Sequence, residues 1–150
     1  MLELELNNQM ELKFAAKSAN EAFARATVAA FAAQLNPTLA EIMEIKTAVS
    51  EAVTNAIIHG YDNNFSENCN VTIKCSLTAN INQKEISIEI HDDGKGIDNI
   101  EKAREPLYTS KPELERSGMG FSVMEEFMDN CDIVSQLGKG TVIKMLKRIG

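Results

Sequence analysis

The sequence contains few aromatic residues, prolines and cysteines. Tryptophan is absent, aromatic residues account for 5% of the chain, and three prolines and three cysteines occur among 150 residues. Cys69, Cys75 and Cys131 form no C-x-x-C pair and lie near no histidine at metal-ligand spacing. These features exclude a disulfide-stapled miniprotein and predict reduced thiols in a cytoplasmic protein.

Long apolar runs are also missing. A transmembrane helix needs about 20 consecutive apolar residues, and no segment approaches that length. The first residues, Met1 to Leu6, alternate apolar with acidic side chains, whereas a secretory signal has a basic start and a continuous apolar core. We therefore expect a cytoplasmic protein with no membrane partner.

Basic residues are fewer than acidic residues. Lys and Arg number 15 against 22 Asp and Glu, so the net charge is −7 with histidine neutral. This balance argues against sequence-independent binding of nucleic acid, although a local basic site for a nucleotide remains possible. The length, the 44% apolar fraction and the 25% charged fraction are typical of a single domain spanning residues 1–150.

The first part of the chain combines alternating strands with a helix. Residues 2–14 alternate in two runs around Asn7-Asn8 and predict a hairpin. Ser18 to Glu21 has capping-box spacing and predicts a helix that ends before Asn36-Pro37. The apolar positions of this helix at helical spacing are Ala22, Phe23, Ala26, Ala30 and Phe31.

The rest of the chain mixes helix and strand patterns. A second capping box, Thr38 to Glu41, predicts a long helix that ends at Gly60, and another helix is predicted from Gly120 to about Asp129. Strands are predicted at 71–77, 86–90, 131–135 and 141–147, with a short helix at 98–104 and a loop at 105–117. This order predicts an α+β fold, a two-layer sandwich with helices on one face of a mixed sheet.

The first of three polar motifs lies on the long helix. Glu51 and Asn55 are four residues apart, so their side chains share one face. Such pairs are commonly plain surface. The functional alternative is a carboxylate base beside an oxygen ligand for Mg²⁺.

The second motif, Asp92, Gly94 and Gly96, directly follows a predicted strand. The two glycines allow a tight turn and the close approach of a flat ligand, and an Asp at a strand end can accept a hydrogen bond from an exocyclic amine. In isolation the same residues indicate a simple Asp-Gly turn.

The third motif opens the last predicted helix. Gly118 and Gly120 expose backbone N–H groups at a helix N-terminus, which attracts phosphate, and Arg116 can add a charge-assisted contact. The alternative is a flexible helix start beside a solvated arginine.

In their order along the chain, the three motifs resemble those of the GHKL ATPases, the superfamily of gyrase, Hsp90, histidine kinases and MutL, which shares the Bergerat nucleotide fold. The resemblance covers about residues 38–147. Within that superfamily, the stretches Glu51 to Tyr61 and Thr109 to Gly120 resemble the short serine-kinase and anti-sigma branch. The phosphate-loop motif G-x-x-x-x-G-K-[ST] and the protein-kinase motif set do not occur in the sequence.

The resemblance implies roles for individual residues. Glu51 would be the general base, which in the kinase branch accepts the proton of a substrate serine hydroxyl, and Asn55 would ligate Mg²⁺. Asp92 would bind the adenine amine, with Thr141 behind it. The other implied ATP-binding residues are Gly94, Gly96, Arg116, Gly118 and Gly120, with an ATP lid at about 105–117.

The resemblance also implies partners. The protein would bind and inhibit a sporulation sigma factor of the sigma F type and phosphorylate a serine of a small anti-anti-sigma protein. Arg25 would dock the sigma factor. Independently of the resemblance, we expect the early alternating strands to pair across a homodimer, since an exposed strand edge favours pairing. Two alternatives are an anti-sigma serine kinase of the general-stress type and a nucleotide-gated binding module without phosphotransfer. The presence of both Glu51 and Asn55 favours an enzyme.

Overall fold

A computed structural model describes residues 5–61, 69–97, 99–100 and 120–150. In these ranges one sheet carries helices on one of its faces. The strands are β1 (Leu6–Ala15), β2 (Asn70–Ala79), β3 (Lys84–Asp92), β4 (Asn130–Gln136) and β5 (Gly140–Arg148). The helices are α1 (Ala19–Ala32), α2 (Leu39–Asn55) and α3 (Gly120–Phe127), with a 3₁₀ turn at Ala33–Leu35 and a π-helical turn at Ala56–Gly60. This confirms the predicted α+β sandwich.

The five strands lie in the order β1-β2-β3-β5-β4, and all four neighbouring pairs are antiparallel. The prediction of a mixed sheet is therefore wrong for the described strands. β4 runs in the same direction as β3, but β5 folds back through the turn at Gly138 and lies between them. The hairpin thus separates the two strands that would otherwise form a parallel pair.

The long helix α2 forms the centre of the helical layer. The Glu41 N–H donates to Thr38 Oγ1 at 3.1 Å, and the Thr38 N–H donates to Glu41 Oε1 at 2.8 Å, which confirms the predicted capping box. The buried face of α2 consists of Ile45, Ala48, Val49, Ala52 and Val53. It shares one core with alternate residues of β2 and β3, because successive strand residues point to opposite faces of the sheet.

The predicted hairpin at the start of the chain is wrong over the described residues. β1 runs without interruption through Asn7 and Asn8, which pair with Thr78 and Leu77 of β2. The side chain of Asn8 also donates to Gln34 Oε1 at 3.0 Å. Pairing with a long neighbouring strand therefore outweighs the turn preference of the two asparagines. Residues 1–4 lie outside the described ranges.

Helix α1 begins where predicted and ends at Ala32, a 3₁₀ turn continues to Leu35 just before Asn36, and the predicted buried face is wrong. Its buried residues are Glu21, Ala24, Val28 and Ala32, whereas Phe23 is 54% exposed and Ala22, Ala26 and Ala30 are also exposed. Alanines occur all around this helix, so the apolar spacing did not identify one face. The small buried side chains let α1 pack closely on α2. The Ser18 side chain makes no capping hydrogen bond, so the first capping box is not formed.

Two of the sequence predictions fall mostly or wholly outside the described ranges. These are the short helix at 98–104 and the loop at 105–117. The predicted helix from Gly120 and the last two strands are confirmed. Within the described ranges, none of the helices has the length and apolar character that a membrane span needs.

Candidate nucleotide site

The candidate site lies where β3 ends, β5 begins and the π-helical turn after α2 reaches the sheet. The Lys95 N–H donates to the Gly60 carbonyl at 2.9 Å, which ties the segment after β3 to the end of the long helix. The Gly138 N–H donates to the Lys95 carbonyl at 2.6 Å, which ties the same segment to the β4–β5 turn. Four residues assigned to ATP binding by sequence lie around this junction: Asp92, Gly94, Gly96 and Thr141.

Asp92 is the buried carboxylate of the site. It is the last residue of β3, faces the helical layer and is 8% exposed. The Gly94 N–H donates to Asp92 Oδ1 at 2.9 Å. Burial raises the pKa of Asp92 to about 6, although hydrogen bonds from the backbone N–H groups of Gly94 and Thr141 favour the charged form. The site therefore presents a desolvated acceptor, which suits an amine on a planar base.

A polar row crosses three strands beside this carboxylate. Thr141 of β5 pairs in register with Asp92 of β3, and Ser135 of β4 pairs with Thr141. Ser135 Oγ lies 2.8 Å from Thr141 Oγ1, and the Ile97 N–H donates to Ser135 Oγ at 2.7 Å. The structure thus brings Thr141 next to Asp92, as its implied role requires. Ser135 was missed, because a polar residue in an alternating strand gives no sign of its cross-strand partner.

Glycines make the close packing around Asp92 possible. A Cβ at Gly94 would lie 2.1 Å from the Gly60 carbonyl oxygen, so these two backbone segments touch. Gly140 has a φ of +100°, and a Cβ there would lie 2.1 Å from the Asp92 carbonyl oxygen. Gly96, with a φ of +79°, packs in the same way on the Gln136 carbonyl. Side chains at these positions would push the segment after β3 away from its neighbours.

Tyr61 is a second residue that the sequence analysis did not assign to the site. Its hydroxyl accepts a hydrogen bond from the Asp93 N–H at 2.7 Å and donates one to the Asn70 carbonyl at 2.7 Å. It therefore connects the end of the α2 extension, the π-helical turn Ala56–Gly60, with the start of β2 and the residue after Asp92. Burial raises the pKa of Tyr61, which keeps the phenol protonated and able to donate.

Glu51 and Asn55 lie on the last turns of α2, and both are half-buried. Asn55 Nδ2 donates to the Glu51 carbonyl oxygen at 3.1 Å, so the amide nitrogen is engaged with the helix and the amide oxygen is left for other contacts. That orientation fits a metal ligand, since hard cations bind amide oxygen. The π-helical turn directly follows Asn55, and such turns are frequent at functional sites.

The remaining predicted site residues lie at the start of α3, on α1 or outside the described ranges. Gly120 is buried at the first position of α3, so its backbone lies at a helix N-terminus. Arg116 and Gly118, together with the predicted lid at 105–117, lie outside the described residues. Arg25 is on α1, where its Nη1 lies 3.3 Å from Glu21 Oε2.

Comparison with known proteins identifies the family. A model of the histidine kinase-like ATPase domain matches residues 14–147. The anti-sigma F factor of Clostridium acetobutylicum is 62% identical over 143 residues, 95% of each chain. That of Clostridium perfringens is 58% identical over 144 residues, covering 96% of this chain and 99% of the relative. This chain belongs to the anti-sigma F factor family.

A solved structure has a similar fold. The crystal structure of the RsbU and RsbW domains of a Mycobacterium tuberculosis protein matches with a TM-score of 0.66 at 18% identity. The match covers 95% of this chain and 32% of that one, and at this identity it shows a shared fold. The family model and the two relatives confirm the resemblance to the GHKL anti-sigma branch, whereas the roles of individual site residues stay predictions.

Proposed function

We propose that the chain is an anti-sigma factor and a protein serine kinase of the cytoplasm. It would bind and inhibit a sigma factor of the sigma F type, and it would phosphorylate a serine of an anti-anti-sigma protein with Mg-ATP. The observation that supports this best is the buried Asp92 carboxylate, within a junction built from α2, β3 and β5, in a chain that is 62% identical to an anti-sigma F factor.

The donor and acceptor groups of the junction fit an adenine nucleotide. Asp92 and Thr141 provide acceptors at the buried end, and the glycine contacts keep backbone close to that end without side chains in between. Gly120 would provide a backbone N–H at the N-terminus of α3, where the helix dipole favours phosphate. We assign Gly94, Gly96, Arg116 and Gly118 to the same ligand on the sequence motif.

The groups on α2 fit the phosphotransfer. A bound Mg²⁺ neutralises charge on the transferred phosphate, and the Asn55 amide oxygen would hold it. Glu51 would accept the proton of the substrate serine hydroxyl as that oxygen attacks. General-base assistance contributes about 10²–10⁴-fold, so loss of this carboxylate should stop turnover while nucleotide still binds.

The kinase proposal is tested with the purified protein, labelled ATP, Mg²⁺ and an anti-anti-sigma protein from the same organism. We expect label on a serine of the partner, reduced at least a hundredfold by Glu51→Gln and unchanged by the control Glu126→Gln on the exposed face of α3. Transfer at the normal rate by Glu51→Gln would remove the base assignment. Nucleotide binding without transfer would leave a nucleotide-gated binding module.

For the sigma factor we propose the outer face of α1 as the docking surface. Phe23 is 54% exposed there, beside exposed alanines at positions 22, 26 and 30, and the guanidinium of Arg25 is held by Glu21. An apolar patch next to an oriented arginine is typical of protein interfaces. Charge reversal by Arg25→Glu should weaken sigma binding at least tenfold, whereas Lys139→Glu in the β4–β5 turn should not. Equal binding by both variants would refute the assignment.

We further propose a homodimer that pairs the two β1 strands. β1 is an edge strand of the described sheet, and an unpaired edge favours association. An antiparallel pair centred on Leu12 would place Glu11 of each copy opposite Lys13 of the other, which is a favourable cross-strand pair. The molecular mass in light scattering should fall with Glu11→Lys and recover with Glu11→Lys combined with Lys13→Glu. An unchanged molecular mass in both variants would exclude this pairing.

A further inference from the structure

We propose that Ser135 fixes the orientation of the Thr141 hydroxyl, and that this makes the site prefer a base with an amine over a base with a carbonyl at the same ring position. Adenine nucleotides would then bind in preference to guanine nucleotides. The inference rests on the proposed nucleotide binding and adds a residue that determines its specificity. Ser135 acts through Thr141 and is thus a positioning residue.

The argument begins with the hydrogens around Ser135. A serine hydroxyl has one hydrogen and two lone pairs. The Ile97 N–H, at 2.7 Å, can only donate, so Ser135 Oγ accepts from it. The Gly140 carbonyl oxygen, at 3.0 Å, can only accept, and its contact with Ser135 has a hydrogen only if Ser135 donates its single hydrogen there.

In the one arrangement that gives each of the three contacts a hydrogen, Thr141 is the donor in its 2.8 Å contact with Ser135. Its only hydrogen is directed toward β4, and its lone pairs remain for a ligand or a bridging water. The residue is 6% exposed, so bulk water offers little competition that would turn the hydroxyl around.

The neighbouring group in the row is also an acceptor. Asp92 pairs with Thr141 across β3 and β5, and its carboxylate faces the same inner side of the sheet. Adenine carries an amine donor on the ring position where guanine carries a carbonyl acceptor. Two acceptors side by side would satisfy the amine, whereas they would leave the guanine carbonyl without a donor.

Without the Ser135 hydroxyl, Thr141 would be able to rotate and donate to a carbonyl. Ser135→Ala should therefore narrow the ratio of ATP to GTP affinity by about fivefold, mainly through tighter GTP binding. Inosine triphosphate, which shares the ring carbonyl of GTP but lacks its exocyclic amine, should also bind more tightly to Ser135→Ala than to the wild-type protein. Ser135→Thr, which keeps the hydroxyl, should retain the wild-type ratio.

In the experiment, the purified protein is titrated in a calorimeter with Mg-ATP, Mg-GTP and inosine triphosphate, and the Kd of each nucleotide is measured. The matched control is Ser76→Ala on the outer face of β2, which should leave the ratio unchanged. If Ser135→Ala does not fold, Ser135→Cys provides a weaker donor of similar size and should give an intermediate ratio.

The outcomes separate the two proposals. A folded Ser135→Ala or Ser135→Cys protein with the wild-type ratio would overturn the role of Ser135 and leave nucleotide binding intact. Equal losses of ATP and GTP affinity would indicate a merely structural serine and would also overturn it. A wild-type protein that binds none of the three nucleotides would overturn the proposed function and this inference together.

Discussion

Gly60 and Asp92 are in direct packing contact, although 32 positions separate them in the chain. A Cβ on Gly60 would lie 2.9 Å from Asp92 Oδ1 and 3.0 Å from its Cγ. The end of the α2 extension therefore packs directly against the carboxylate, and the space at Gly60 holds a hydrogen but no larger side chain. Through this contact the helix that carries Glu51 and Asn55 and the strand that carries Asp92 are held in one arrangement.

We expect Gly60→Ala to destabilise the protein and to weaken ATP binding. Helix propensity would favour alanine by at most about 1 kcal/mol, but overpacking against a buried, hydrogen-bonded carboxylate costs about 1–3 kcal/mol, so the steric effect should win. Displacement of Asp92 should raise the Kd for ATP about tenfold. The control is Gly138→Asn, at a position with φ of +83° and open space, which an asparagine tolerates. Urea unfolding and calorimetry measure both effects, and a more stable Gly60→Ala protein would contradict the packing argument.

Asp92 should make the stability of the nucleotide-free protein fall as pH rises between about 4 and 6. Its pKa is about 6 in the folded protein against 3.8 for a free side chain, so folding takes up a proton in that interval. At about 1.4 kcal/mol per pKa unit, the charged form costs about 3 kcal/mol of stability. Asp92→Asn should remove this slope and raise Tm at pH 7.5, while ATP affinity falls. Urea titrations at several pH values test this, and an unchanged slope in the variant would place the titration on another group.

Tyr61→Phe should loosen the segment that follows β3. The substitution removes the acceptor of the Asp93 N–H and the donor to the Asn70 carbonyl, both bonded at 2.7 Å. Because the partners have access to water, we expect a loss of about 1 kcal/mol in the free energy of unfolding. ATP affinity should fall about three- to tenfold, since Asp92 adjoins this segment. Amide hydrogen exchange of Asp93 should accelerate, and an unchanged exchange rate would refute the bridging role.

Lys147 should couple α2 to the end of α3. Its ammonium donates to the Phe127 carbonyl at 2.7 Å, at the last residue of α3, and lies 3.2 Å from Glu44 Oε1 on α2. The residue faces the core and is 8% exposed. Lys147→Met, which keeps the aliphatic stem, should cost about 1–2 kcal/mol. Combined with Glu44→Gln it should cost less than the sum of the two single changes. Additive losses would show that the ion pair contributes nothing.

The elements with strong local signals were readable without a structure. The capping box at Thr38 and the alternation through β2 and β3 each act over a few residues, and both formed as predicted. Where local signals were weak they misled. The alanine-rich pattern of α1 did not identify its buried face, and Asn7-Asn8 paired with β2 instead of turning.

The residue types needed for a nucleotide site, and their order, could likewise be read from the chain, because Asp92, Gly94, Glu51 and Asn55 lie within short motifs. Contacts between distant segments could not. Ser135 is linked to the site only because its partner strand β5 pairs with β3, and Gly60 matters only because the π-helical turn after α2 ends against Asp92. Short-range preferences act along the backbone and are visible in the sequence, whereas strand order and helix docking come from burying one shared core.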